Sequence, residues 1–183
     1  MNNMSDVLSV FQQLAWDVSK DSVGDRILSF RLTDNTQITG APAFRKLPNS
    51  QLIESCFGVS FDFLDSVITK IEKKRKVSPW HVCQGSFKWK KDFFNESDIV
   101  SISNELLEWA KQQNVEDGLS IFRNYPTDSV GNMPLKHLGA LAIAKDVNKL
   151  SYYLESFKAG DRLGFVPYIT QDFIERALKI AEE

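Results

Sequence analysis

Apolar residues at helical spacing predict a helix near the start of the chain. Val7, Leu8, Phe11 and Leu14 recur at intervals that place them on one face of a helix covering residues 5–19. A helix with a single apolar face is stabilised mainly by packing that face against other elements. We therefore expect residues 5–19 to form an amphipathic helix that contributes to the core.

Alternating apolar and polar residues predict strands in the next part of the chain. One alternating run ends at Asp34-Asn35, which favour a turn, so a β-hairpin is predicted near residues 25–39. Residues 51–60 have the composition of a further strand. Residues 41–50 contain two prolines and are predicted to be a loop.

The segment WHVCQGSFKWKKDFF (80–94) also alternates, but its phase changes partway. Apolar residues stand at even positions before Gly85-Ser86 and at odd positions after them. Because the side chains of a strand point alternately to its two faces, such a change requires an irregularity. We expect a tight turn or a β-bulge at Gly85-Ser86.

A second amphipathic helix is predicted between these strand segments. Ser60 can cap its start, and its apolar face is formed by Leu64, Val67, Ile68 and Ile71. The basic residues that follow fall in the predicted last turn, where cations complement the negative end of the helix dipole. These are Lys73, Lys74, Arg75 and Lys76. Pro79 prevents the helix from resuming.

From Asn95 to the end of the chain, the pattern is helical. Asn95, Asp146 and Thr170 can each cap a helix. The segment MPLKHLGALAIAKDVNKLSYYL (133–154) resembles one ankyrin repeat, but a solenoid needs about three copies. We therefore expect this segment to form a simple pair of antiparallel helices.

Together these elements predict an α+β fold. It has an N-terminal helix, a small antiparallel sheet within about residues 25–94 and a helical C-terminal half. A length of 183 residues suits one domain. We expect a single domain over residues 1–183, with a mixed α/β part in residues 1–94 and a helical part in residues 95–183.

The composition is that of a globular protein whose charge is unevenly distributed. The net charge is −2, which divides into +4 for residues 1–91 and −6 for residues 92–183. Such asymmetry favours a charged partner surface. The two cysteines, Cys56 and Cys83, do not form a disulfide framework typical of secreted modules. Because the sequence also has no predicted signal peptide or membrane span, we expect a cytoplasmic protein with no membrane partner.

Candidate catalytic or metal-binding residues are few. His81 and Cys83 are two residues apart and would share a face of a regular strand, as a nucleophile pair or a zinc site requires. His81 and His137 could supply an acid–base pair for RNA cleavage. Neither spacing is a motif, and no glycine-rich nucleotide loop is present. We interpret these residues as structural and expect no enzymatic activity, cofactor or metal.

Residues 70–91 are strongly basic, with eight Lys or Arg side chains and one acid. The candidate basic patch comprises Lys73, Lys74, Arg75, Lys76, Lys88 and Lys90. Its first four residues resemble a nuclear import signal, although their place at the end of a helix explains them without one. A nucleic-acid-binding module is the alternative function, with Phe87 and Trp89 as stacking platforms. The alternation places these rings opposite the neighbouring lysines, which favours an aromatic face against the core.

Carboxylates recur at helical spacing in two places. Asp62 and Asp65, and likewise Glu105 and Glu108, are three residues apart beside apolar stripes. Side chains in such positions are typical of the solvent-facing side of a helix. We expect both pairs to be solvated.

The last quarter of the chain resembles a group of bacterial proteins. The sequence LKHLGALAIAKDVNKLSYYLESFKAGDRLGFVPYITQDFIERALKIAEE (135–183) is similar to the helical endings of small bacterial immunity proteins. These are the cytoplasmic antidotes of contact-dependent inhibition and other polymorphic toxin systems. The similarity lies in chain length, aromatic content and the final helix ITQDFIERALKIAEE. It implies a stoichiometric inhibitor that binds a cognate toxin domain and blocks its active site.

An inhibitor of a nucleic-acid-cleaving toxin would need carboxylates, because such toxins bind phosphates with basic clefts. The acidic half of the chain offers six candidate partner-binding residues: Glu105, Glu108, Glu116, Asp117, Asp128 and Asp161. We therefore expect an immunity- or antitoxin-like protein whose partner is a toxin domain, a nuclease being one such toxin.

Overall fold

The computed structural model describes residues 1, 3–21, 23–73 and 79–183. These residues confirm the predicted α+β fold. Their helices are α1 (Met4–Gln13), α2 (Asp62–Glu72), α3 (Glu96–Lys111), α4 (Val115–Arg123), α5 (Met133–Ile143), α6 (Val147–Lys158) and α7 (Gln171–Glu182). Their strands are β1 (Asp17–Lys20), β2 (Arg26–Arg31), β3 (Thr36–Gly40), β4 (Ala43–Leu47), β5 (Ser50–Phe61) and β6 (His81–Lys91). Across the described part of the chain, every helix is too short or too polar to cross a membrane.

The chain divides into two compact units. Unit 1 comprises residues 1–61 and 81–114, with α1, α3 and the sheet. Unit 2 comprises residues 62–80 and 115–183, with the remaining helices. This division differs from the predicted one at residue 94, because α3 packs with α1 and β5, whereas α2 packs with α5 and α7. That residues 1–183 form a single domain stays a prediction.

The sheet of unit 1 is antiparallel, with the strand order β1-β2-β3-β5-β4 and β6 paired with β5. β3 and β4 pair with β5 in one register. They therefore lie one after the other along the same side of β5, with an interruption at Ala41-Pro42. Proline has no N–H to donate to the ladder, which explains the interruption. The predicted loop at residues 41–50 is therefore wrong. β4 continues the ladder and turns into β5 through Pro48-Asn49.

A β-bulge changes the phase of β6. The pairing of β5 with β6 shifts at one point and leaves Val82 as an extra residue between His81 and Cys83. β6 continues without a break through Gly85-Ser86. The change of phase seen in the sequence is real, but its predicted position at Gly85-Ser86 is wrong.

The first helix is shorter than predicted. α1 ends at Gln13 because Ala15 takes a left-handed conformation with φ of 65°, and the N–H of Trp16 donates to the carbonyl of Phe11 at 3.0 Å. The chain then forms β1, so the sheet begins before residue 25. The prediction of a helix through residue 19 is wrong for its last turns, since a backbone reversal places Trp16 in the core.

Aromatic rings fill the core of unit 1. Phe57 is 1% exposed, and its ring centroid lies 5.9 Å from that of Trp16 and 6.2 Å from that of Phe87. The indole N–H of Trp16 donates to Ser103 Oγ of α3 at 2.8 Å. A Cβ at Gly40 would lie only 2.4 Å from the Phe57 ring, so glycine is what admits the ring at this place.

The start and end of α2 depart from their predictions. Ser60 belongs to β5, and its hydroxyl donates to the carbonyl of Gln37 at 3.4 Å, so it does not cap the helix. The helix ends at Glu72, and Lys73 follows with φ of 55°. Lys73 is therefore outside the last turn. The other basic residues predicted there, Lys74, Arg75 and Lys76, lie outside the described residues.

Unit 2 is built around α5, which contacts α2, α4, α6 and α7. Gly139 brings α5 close to α2, because a Cβ there would lie 3.0 Å from Ile68 Cγ1. The predicted helix pair at residues 133–154 is present as α5 and α6. Asp146 caps α6 as predicted, whereas Thr170 precedes α7 without a side-chain capping bond.

Candidate functional site

His81 and Cys83 lie on opposite faces of the sheet, which corrects the prediction that they share one. The bulge at Val82 reverses the alternation between them. The thiol of Cys83 lies 3.6 Å from the carbonyl oxygen of Asn114, just beyond α3. The imidazole of His81 lies over Gly58 on the other face. A nucleophile and its base, or two ligands of one metal, need side chains that converge.

Hydrogen bonds hold the imidazole of His81 in one tautomer. Gln84 Nε2 donates to Nδ1 at 3.1 Å, and the ring Nε2–H donates to Thr39 Oγ1 at 2.6 Å. A Cβ on Gly58 would lie 2.2 Å from the ring, so the ring rests directly on the backbone of β5. These contacts tie β3, β5 and β6 together, which is a structural role.

The other histidine, His137, is fully buried in unit 2. Its Nδ1–H donates to the carbonyl of Phe122 at 2.9 Å, and its Nε2 accepts from the Tyr153 hydroxyl at 3.1 Å. Burial lowers the pKa of His137 and raises the pKa of Tyr153 to about 12. Each histidine is thus bonded within its own unit. Among the described residues, no three or more His, Cys, Asp or Glu side chains are grouped to hold a metal ion.

Two lysines of the candidate basic patch lie on β6 and face away from the core. Lys88 and Lys90 are exposed, whereas Phe87 and Trp89 are half-buried on the opposite face. The two rings stack with their centroids 5.6 Å apart, and Trp109 of α3 meets Phe87 edge-on at 5.1 Å. The predicted arrangement of aromatic and basic faces is confirmed. Rings packed under a helix are not free to stack on bases.

An open cavity of about 440 Å³ lies on the sheet of unit 1, beside the interruption between β3 and β4. Cys56 and Ser86 line it, with Sγ and Oγ 3.4 Å apart. Glu54 and Lys88 flank these residues, and Glu54 is paired with Arg45 at 2.7 Å. The size is that of a small-molecule pocket. Its polar groups could bind a small ligand. The described hydrogen bond of the Cys56 thiol is to a hydroxyl, whereas a nucleophilic thiol is activated by a neighbouring base.

All six predicted partner-binding acids are exposed. Glu105 and Glu108 belong to unit 1, where Glu105 accepts from the Trp89 indole at 2.8 Å and Glu108 pairs with Lys111 at 2.8 Å. The other four belong to unit 2: Glu116, Asp117, Asp128 and Asp161. Glu116 forms an ion pair with Arg123. The six residues therefore fall in two groups.

Asp128 and Asp161 lie on two loops that are bonded to each other. The first loop, residues 124–132, joins α4 to α5, and the second, residues 159–170, joins α6 to α7. The Thr127 hydroxyl donates to the carbonyl of Leu163. A second hydrogen bond runs from the hydroxyl of Tyr168 to the carbonyl of Gly131 at 2.6 Å. We call these two segments the loop pair.

Asp65 departs from the expectation of a solvated carboxylate. It is half-buried, and its Oδ1 accepts from the backbone N–H of Trp80 at 2.8 Å. Burial raises the pKa of Asp65 to about 6, and the charge of Asp62 adds to that rise. Between pH 3.8 and about 6 the folded chain holds a proton that the unfolded chain has released. The free energy of unfolding therefore falls as pH rises through this window.

Replacing Asp65 with asparagine is expected to stabilise unit 2 above pH 6. Asparagine keeps the acceptor for Trp80 but carries no charge to desolvate, and after allowance for solvent screening the gain is about 1 kcal/mol at pH 7.5. Denaturant unfolding at pH 7.5 and pH 3.5 measures it. The gain should be absent at the lower pH and in the exposed control Asp117→Asn. An equal gain at both pH values would mean that the charge is not its cause.

Comparison with known proteins gives a match to a family model. No curated protein and no solved structure matches this chain. A family model does match, over residues 3–182, and its description is a family of unknown function, DUF6990. The match covers both units, including the strands that form the sheet and the helices that carry the loop pair. The chain therefore belongs to the DUF6990 family.

Proposed function

We propose that this chain is a cytoplasmic, non-catalytic protein that binds a toxin domain and blocks its active site, as an immunity protein does. The observation that supports this function best is the exposure of all six candidate carboxylates. Exposed carboxylates complement the basic cleft with which a nuclease binds phosphates. The resemblance of residues 135–183 to immunity proteins supports the same function.

The alternative function, nucleic-acid binding through residues 70–91, has one observation in its favour. Lys88 and Lys90 are exposed side by side on one face of β6. The aromatic rings that would stack on bases are packed on the opposite face. Cations alone would give weak binding that falls steeply with salt and does not depend on sequence. We therefore favour a protein partner.

The proposed function predicts a one-to-one complex with a cognate toxin domain. Complementary charge speeds association, and salt screens it, so the association rate constant should fall about tenfold or more between low and physiological ionic strength. Stopped-flow mixing at a series of salt concentrations measures this. A complex that fails to form, or whose association does not respond to salt, contradicts the proposal.

A further inference from the structure

We propose that the loop pair of unit 2 is a docking surface for a protein domain that presents a cationic face with an apolar recess. This inference rests on the proposed function and names the surface that carries it. The surface combines exposed apolar side chains, exposed carboxylates and a backbone that is held in place from within. These properties belong to residues 124–132 and 159–170, together with Met133 at the start of α5.

Exposed apolar side chains lie on the loop pair and at the adjoining first residue of α5. Val130 is 68% exposed, Met133 is 43% exposed and Tyr168 is 42% exposed. They are neighbours, because the Tyr168 hydroxyl donates to the carbonyl of Gly131, which lies between the other two residues. Grouped apolar side chains on a surface are typical of interaction sites, and tyrosine and methionine are enriched there.

The backbone of the loop pair is fixed by internal contacts. Gly164 lies so close to the first loop that a Cβ on it would be 3.1 Å from Asp128 Cβ. Leu163 takes a left-handed conformation with φ of 52°, which is unfavourable for a residue with a side chain. Its N–H donates to Asp161 Oδ1 at 2.8 Å and its carbonyl accepts from Thr127. Fixed loops lose little conformational entropy on binding.

The two loops carry a net charge of −1, which is the sum of two carboxylates and one guanidinium. Asp128 and Asp161 are both exposed. The one basic residue of the two loops is Arg162, whose guanidinium donates to the carbonyls of Val166 and Ile169 at 2.9 and 2.7 Å. These two bonds hold the Arg162 guanidinium against its own loop. A surface with this charge attracts a cationic protein and repels phosphates, whether of nucleic acid or of an anionic membrane.

Tyr168 is the expected anchor of the contact. Its ring is partly exposed, and its hydroxyl is already bonded within the chain at 2.6 Å, so binding would not leave that group unpaired. Aromatic side chains held in one orientation by their own structure are frequent hot spots, because little rotamer freedom remains to be lost. The carboxylates then lie at the rim, where charges mainly set the rate of association.

Matched variants of the full chain, assayed against the cognate toxin domain of the proposed function, test this surface. Asp128→Asn with Asp161→Asn removes two charges and keeps both oxygen acceptors. Glu105→Gln with Glu108→Gln removes two charges from α3 of unit 1 and serves as the control. We expect the first pair to slow association about tenfold at low salt and the control to change it less than about twofold.

The anchor is tested separately by equilibrium binding. Tyr168→Ala should raise Kd about 30-fold, whereas Tyr168→Phe, which keeps the ring, should stay within a few-fold of the parent chain. The docking surface would be overturned if the two double variants slowed association equally. It would also be overturned if the chain kept full affinity after both the charge and the anchor changes. Either result would leave the proposed function standing. A parent chain that binds no toxin domain overturns both. Self-association that Tyr168→Ala abolishes would assign the surface to a second copy.

Discussion

Replacing Phe57 with alanine is expected to lower the free energy of unfolding of unit 1 by about 3–5 kcal/mol. The ring is 1% exposed and lies between Trp16 and Phe87, with centroid distances of 5.9 and 6.2 Å. Removing it leaves a cavity that the neighbouring rings cannot close, because β6 carries Phe87 and the hydrogen bond to Ser103 holds Trp16. Denaturant unfolding followed by tryptophan fluorescence measures this loss of stability, because three tryptophans belong to unit 1: Trp16, Trp89 and Trp109.

Phe93→Ala provides the matched control for this substitution. Phe93 is 56% exposed, so the same change of side chain should alter the free energy of unfolding by less than about 0.5 kcal/mol. A loss of less than 1 kcal/mol for Phe57→Ala would show that the aromatic cluster is not the core of unit 1.

Replacing His137 with leucine is expected to destabilise unit 2 by about 2–4 kcal/mol. The substitution preserves apolar volume but leaves the Tyr153 hydroxyl buried without its partner at 3.1 Å, and a buried unpaired polar group is costly. Adding Tyr153→Phe removes that hydroxyl. The second substitution should therefore cost clearly less in the leucine background than in the parent chain. Additive costs in this double-mutant cycle would contradict the hydrogen bond between the two side chains.

The same histidine predicts a pH dependence with a definite sign. Burial lowers the pKa of His137 below its unfolded value of 6.5. Below pH 6.5 the unfolded chain therefore binds a proton that the folded chain does not, and the free energy of unfolding falls on acidification. His137→Leu should remove this contribution, which makes the stability difference between parent and variant smaller at pH 5 than at pH 7.5.

Local signals predicted the elements whose stability is decided locally. The hairpin near residues 25–39 and the cap at Asn95 follow from turn and capping chemistry, and both are present; Asn95 and Asp98 form a reciprocal capping box. The prediction of a loop at residues 41–50 is wrong because it relied on the two prolines. A proline cannot donate a hydrogen bond at its own ladder position, but pairing with β5 holds the chain around it in the sheet. That pairing joins distant residues and cannot be read from the local sequence.

The candidate site could be predicted from the sequence only in part. Residue type alone identified Asp128 and Asp161, because carboxylates in polar loops are usually exposed. Nothing in the pattern singled out Tyr168, since its bond to Gly131 joins residues 37 positions apart. His81 and Cys83 failed as a pair for a similar reason: one extra residue in a bulge reversed the alternation on which the prediction depended.

The most direct test of a non-catalytic inhibitor is titration of the toxin domain's activity with this chain. The proposed function predicts a linear loss of activity that reaches completion at one equivalent, with full recovery of both chains after dissociation in denaturant and refolding. Inhibition that is complete at a small fraction of one equivalent, or that leaves the toxin domain covalently altered, would mean that the chain acts as an enzyme. Activity that persists at a large excess of the chain would contradict the proposed function itself.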